Sequence, residues 1–296
     1  MDLRLGSRGS PLARWQANHV AERLRDAWPG LAIDIVTIKT EGDQPADMPQ
    51  LDSFGKGIFV KEIEAALLQG TIDLAVHSLK DLPTDMPAGL TVAAIPKRHD
   101  ARDALICRSA RRVADLRAEA LVATGSPRRR CQLLAVRNDL RFTFVRGNVD
   151  TRLKKLDDGQ FDALILAVAG IERLGLTNVP YVPIPFSLCL PAPGQGALAI
   201  EIRAGDATTR QKVDPLDDPE TARCVAAERA FLRTLGAGCL APAGALATMA
   251  GEMLVLDAMV GYADGRGPKR DRLEGAASDA EALGAALARR LLVDGS

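Results

Sequence analysis

Ile72-Asp73-Leu74-Ala75-Val76-His77-Ser78-Leu79-Lys80-Asp81 is an apolar run that turns polar at its carboxyl end. The first five residues read as a buried strand. In a parallel α/β sheet, chemistry gathers beyond the carboxyl ends of the strands, which puts Asp81 where a reacting group belongs. Before this strand, Phe59 to Gln69 reads as a helix, and Glu41 to Gly57 reads as an aperiodic lid interrupted by three glycines and two prolines. Nearer the start, Leu3 to Ser7 is a short strand. Ser10-Pro11 then opens an amphipathic helix with Leu12, Trp15, His19, Val20 and Leu24 on one face. Serine at the N-cap followed by proline at the first helical position is a strong start signal. Pro29-Gly30 stops that helix, and Leu31 to Thr40 is β-rich.

A second unit repeats this grammar from near Lys97, with strands at Ala104 to Cys107, Leu121 to Ala123, Leu140 to Val145 and Ala163 to Val168. The longest apolar run, Leu164 to Ile171, suits a buried strand and falls far short of the roughly 20 residues that cross a bilayer. Gly9-Ser10-Pro11 recurs as Gly125-Ser126-Pro127, each time between a strand and a helix. Helix N-termini present unpaired N–H groups, so two of them suit an anionic ligand. Pro180, Pro183, Pro185, Pro191 and Pro193 mark a crossing segment before a strand at Ala197 to Ile202, and acidic Asp214 to Glu220 marks the last boundary. A helix from Pro219 to Leu235, strands at Ala245 to Met249 and Met253 to Gly261, and a helix from Ser278 form a smaller α+β unit. The expected division is domain 1 at 1–96 and 197–214, domain 2 at 97–190 and domain 3 at 218–296, with linkers at 191–196 and 215–217.

Hydrophobic residues make up 47% and charged residues 26% of the 296, a balance that excludes a largely disordered chain. The opening MDLRLGSRGS lacks the apolar core of a secretory signal, so a cytoplasmic location is expected, with no membrane partner. Five scattered cysteines without a C-x-x-C pair indicate neither a disulfide framework nor a metal site. His19 and His77 read as packing or local hydrogen-bonding residues. The net charge of zero conceals a cationic stretch: residues 98–152 hold 13 arginines, no lysine and 6 acids. Guanidinium forks match carboxylates and phosphates. Arg128-Arg129-Arg130 at a helix start opposes the helix dipole and calls for an answering anion. Aromatic residues are only 4%, with none between Arg128 and Arg137 to stack bases, so nucleic acid is not the expected partner.

Further motifs follow one another in order: Arg8-Gly9-Ser10-Pro11-Leu12-Ala13, Lys56-Gly57-Ile58-Phe59-Val60-Lys61-Glu62, His77-Ser78-Leu79-Lys80-Asp81-Leu82-Pro83, Arg146-Gly147-Asn148-Val149 with Thr151-Arg152-Leu153, Leu166-Ala167-Val168-Ala169-Gly170, Pro193-Gly194-Gln195-Gly196 and Gly238-Cys239. Together they resemble the porphobilinogen deaminase, or hydroxymethylbilane synthase, family over nearly the whole chain. The resemblance implies two periplasmic-binding-protein-like α/β domains joined by crossing hinge segments, plus a smaller α+β C-terminal domain. It implies an enzyme that joins four porphobilinogen molecules head to tail with loss of ammonia, releasing linear hydroxymethylbilane for uroporphyrinogen-III synthase. It also implies a dipyrromethane primer in thioether linkage to the cysteine matching Cys239, and a monomer. Departures from the family pattern are Ser126-Pro127 for Ser-Leu, Phe54-Gly55 for Gly-Gly before Lys56, and Leu240 after Cys239. None removes a reacting group.

By that resemblance Asp81 is the catalytic carboxylate. Loss of ammonia leaves an electron-poor azafulvene, and the new ring later loses its α-proton; one carboxylate can serve both stages. Each pyrrole carries an acetate and a propionate, so the growing chain needs cations. The resemblance assigns Arg8, Arg128, Arg129, Arg146, Arg152 and Arg173 to these groups, with hydrogen bonds from Ser10, Ser78, Lys80, Thr124, Ser126 and Gln195, and with Lys56 and Lys61 joining on lid closure. Arg130 matches no family role. The competing reading is a cytoplasmic two-lobe anion-binding sensor domain, which turnover with ammonia release would exclude.

Overall fold

The computed structural model describes residues 2–40, 60–236, 242–261 and 267–293. The expected lid, Lys56 and Cys239 lie outside them. In chain order the elements are β1 (Leu3–Arg8), α1 (Pro11–Ala27), β2 (Ile33–Ile38), α2 (Lys61–Leu68), β3 (Leu74–Ser78), β4 (Leu90–Ala94), β5 (Asp103–Ile106), β6 (Leu121–Ala123), α3 (Pro127–Val136), β7 (Arg141–Thr143), α4 (Val149–Asp157), β8 (Ala163–Ala167), α5 (Val168–Arg173), β9 (Tyr181–Pro183), β10 (Leu198–Arg203), α6 (Ala207–Val213), α7 (Pro219–Thr234), β11 (Ala243–Ala250), β12 (Met253–Val260), β13 (Lys269–Ala276) and α8 (Ala280–Val293).

Two compact units result, one of residues 1–98 and 197–223, the other of 99–196 and 224–296. The first holds a sheet of order β2-β1-β3-β10-β4, with β1 parallel to β2 and β3, and β10 antiparallel to both its neighbours. Alternation along β3 explains its two-sided burial. Leu74 and Val76 pack with Val20 and Leu24 of α1, while Ala75 packs with Ile63 and Leu67 of α2. The second unit repeats this plan as β7-β6-β8-β5-β9, with β6 parallel to β7 and β8, and β5 antiparallel to both its neighbours. The Gly-Ser-Pro echo therefore marks a structural repeat, since Ser10 follows β1 and Ser126 follows β6 at corresponding places. A third, antiparallel sheet β11-β12-β13 packs with α7 and α8 through Phe231, Leu254, Leu256 and Leu287.

Several elements differ from expectation. The buried face of α1 is Gln16, Ala17, Val20, Ala21 and Leu24; Trp15 and His19 stack on each other instead, ring centroids 4.9 Å apart. The expected strand Leu164 to Ile171 ends at Ala167, and Val168–Arg173 is helix. A short apolar run does not distinguish a buried strand from a buried helical turn. Strands β4, β9 and β13 were not expected. β13 is charged along much of its length, yet its alternate residues are half-buried and it pairs along the full length of β12.

Candidate functional site

In the first unit, the expected side chains gather where β1 and β3 end. These strands pair in parallel, so Arg8 and Ser78 close the same edge of the sheet. The Ser10 side chain caps α1 by accepting from the Ala13 amide at 3.3 Å, with Pro11 at the first helical position. Its hydroxyl hydrogen is left to donate elsewhere. Ser78 Oγ accepts from the Gln16 side-chain amide at 2.8 Å, and Gln16 is buried. Beyond Ser78 a single 3₁₀ turn, Leu79–Asp81, buries Leu79, leaves Lys80 half-buried and exposes Asp81. Because α2 leads back into β3, its exposed first residue, Lys61, starts from the carboxyl edge.

Behind this turn, His77 Nε2 lies 2.9 Å from Oε2 of Glu201, and both side chains are buried. Glu64 of α2 is also buried, and its carboxyl is pushed up by burial first and by the charge of Glu201 second. Gln16, Glu201 and Glu64 were missed in the sequence. Polar residues inside apolar helix and strand patterns were the available signal.

In the second unit, the expected residues follow the ends of β6, β7 and β8. Thr124 Oγ1 accepts from the Ser126 amide at 3.2 Å, and Ser126 Oγ caps α3 by accepting from the Arg129 amide at 3.4 Å. Arg146 sits 5.9 Å from the ring centroid of exposed Phe144, within cation–π range. Arg152 Nε donates to the Gly147 carbonyl at 2.8 Å. Arg173 is buried and donates to the Gly196 carbonyl at 2.7 Å; burial lowers its pKa to about 10.

Within the fold, the two charges of Arg128 and Arg129 on α3 meet one carboxylate. Both are buried, and the answering carboxylate is internal. Asp103, fully buried, accepts at Oδ2 from Arg128 Nη1 at 2.7 Å. At Oδ1 it accepts from Arg129 Nε at 3.0 Å and Nη2 at 2.7 Å, and from Gln195 Nε2 at 2.9 Å. Arg128 also donates to the Leu190 carbonyl at 2.5 Å and Arg129 to that of Ile165 at 2.9 Å. Arg130 points outward, exposed. Much of the remaining cationic stretch is paired on the surface: Arg102 with Asp100, Arg108 with Asp157, Arg112 with Asp115, Arg117 with Asp162 and Arg137 with Asp139. Exposed pairs of this kind contribute little stability. They do remove these arginines from the candidate ligand set.

Among the described residues no cluster of His, Cys, Asp or Glu could hold a metal ion, and no helix is long and apolar enough to cross a membrane.

Two family models match the chain. Porphobilinogen deaminase, dipyromethane cofactor binding domain, covers residues 3–211, and porphobilinogen deaminase, C-terminal domain, covers 222–293. The porphobilinogen deaminase of Moorella thermoacetica is 47% identical over 296 residues, covering 100% of this chain and 95% of its own. The chain belongs to the porphobilinogen deaminase family. That of Thiobacillus denitrificans is 47% identical over 294 residues, with coverages of 99% and 96%. Among solved structures, a periplasmic substrate-binding protein of an ABC transporter from Coxiella burnetii is similar at a TM-score of 0.45 and 17% identity, over 77% of this chain and 96% of that one. Porphobilinogen deaminases are transferases, the hydroxymethylbilane synthases of tetrapyrrole biosynthesis, and this chain carries their dipyrromethane-binding domain.

Proposed function

We propose that this hydroxymethylbilane synthase works through Asp81 as its proton-handling carboxylate. Exposure of Asp81 on a one-turn support, at the carboxyl end of a central strand, carries this reading. The Asp81 carboxyl group supports proton transfer to the leaving amine of porphobilinogen, stabilises positive charge developing on the pyrrole, and accepts the α-proton afterwards. Lys80, Ser78, Arg8 and Ser10 hold carboxylates around it. In the second unit Thr124, Ser126, Arg146 and Arg152 hold carboxylates at that unit's own edge, with Arg128, Arg129, Arg173 and Gln195 forming the buried layer behind them. Each unit's own edge fits carboxylates of a polyanionic pyrrole chain, since each combines a capped helix start, hydroxyl donors and guanidinium groups.

Cys239 is the proposed point of attachment for the dipyrromethane, with Lys56 and Lys61 contributing further charge. When bound, that group supplies the nucleophilic α-carbon to which the first ring is added. The reading includes the three-domain division given above, a monomer, a cytoplasmic location and delivery of product to uroporphyrinogen-III synthase. The sensor reading is not favoured, because the family match covers both α/β units and the C-terminal domain.

Asp81→Asn tests the assignment. Turnover is expected to fall at least ~10²-fold, the low end for positioned proton transfer, while the primer remains on the protein. Near-normal turnover would exclude Asp81 from this role.

A further inference from the structure

Two guanidinium groups share one carboxylate at the start of α3. Among the described residues no other acid pairs with Arg128 or Arg129, so the buried cluster carries one positive charge in excess. The N-terminus of α3 adds partial positive charge to it. Burying an unbalanced ion costs far more than burying a matched pair. Among the described residues the fold supplies this cluster with no second acid. Its excess is explained if a ligand carboxylate completes it.

The cluster also joins three segments distant in sequence. Asp103 opens β5, the arginines open α3, and Gln195 ends the crossing segment, where it donates to the Ala101 carbonyl at 2.8 Å as well as to Asp103. The fit around that segment is close. Gly196 has φ +86°, and a Cβ there would lie 2.6 Å from the His99 carbonyl.

We propose that Asp103 is a positioning residue of the substrate-carboxylate site. It aims Arg128, Arg129 and Gln195, and it cancels one guanidinium charge so that the cluster offers a single net positive charge to one carboxylate of the pyrrole chain. This rests on the reading of the α3 edge as ligand-binding.

Asp103→Glu in the full-length, primed enzyme is the test. It keeps the charge but moves it by a methylene. The protein is expected to fold and keep its primer, while KM for porphobilinogen rises at least ~tenfold, as displacements of about 1 Å do in preorganised sites. An unchanged KM in a folded Asp103→Glu protein would overturn the proposal. Asp103→Ala supplies a readout that packing would not move: added formate, a carboxylate small enough for the vacated volume, is expected to raise its melting temperature and lower its KM, whereas chloride is not. Recovery of stability with a KM that never departed from the parent would reduce Asp103 to a structural ion and contradict the proposal. Should neither variant fold, Gln195→Met removes both donated hydrogen bonds, to Ala101 and to Asp103, and no charge; a several-fold rise in KM is expected, and an unchanged KM would contradict the positioning role. Arg129→Gln separates the two readings. If it leaves KM unchanged, the ligand-binding reading of the α3 edge is what fails, whatever Asp103 does.

Discussion

Asp103 is fully buried, which by itself would raise its pKa, yet Arg128 and Arg129 hold its carboxyl far below the usual carboxylate range. Its folded pKa therefore lies below the unfolded value of about 3.9, and the stabilisation it contributes is complete above that pH and lost as acid is added below it. The melting-temperature gap between the parent protein and Asp103→Asn is expected to be widest above about pH 5 and to narrow below about pH 4. A gap independent of pH would contradict the ionised assignment. At neutral pH, truncation to alanine is expected to cost about 3–5 kcal/mol in urea unfolding, because it strands two buried guanidinium groups. Asp81 was legible in the sequence because it follows a strand within a recognisable motif. Asp103 was not, because one acid at the head of an apolar strand looks like a boundary until the fold brings two arginines to it.

The elements with local start signals were the most legible. Ser10-Pro11 and Ser126-Pro127 form the same cap, and the repeat they suggested is borne out by two sheets of matching order. Ser126→Ala is expected to cost about 1 kcal/mol, the usual loss of an N-cap side chain, measurable by denaturant unfolding. Elements defined by tertiary pairing were less legible. β13 has almost no apolar face and exists because β12 offers it a full ladder, while the three residues of β9 depend on β5. The contact between α7 and α8 is likewise invisible in one dimension. Gly284 lets α8 approach so closely that a Cβ would overlap the Ala227 carbonyl. Gly284→Ala is a gain in intrinsic helix propensity, yet it is expected to destabilise the protein by about 1–3 kcal/mol through overpacking. A stabilised Gly284→Ala protein would show that the helices separate without cost.

Over the whole chain, positive and negative charges cancel, but they are not spread evenly. Arg102, Arg108, Arg112, Arg117 and Arg137 pair with nearby aspartates, while Arg8, Arg146 and Arg152 are the strand-end arginines proposed to meet a ligand with many carboxylates. In the proposed reading each α/β unit contributes its own part of this chemistry at its own carboxyl edge, the first with the acid, the second with most of the arginines. The C-terminal domain's proposed part is the cysteine. Mass spectrometry of the purified, denatured protein, before and after a limiting dose of porphobilinogen, connects these parts. The parent protein is expected to exceed its encoded mass by two linked pyrroles and then to gain one pyrrole at a time, with every addition absent from Cys239→Ala. Production of linear tetrapyrrole at the full rate by a polypeptide that never departs from its encoded mass would contradict a chain built on the protein itself.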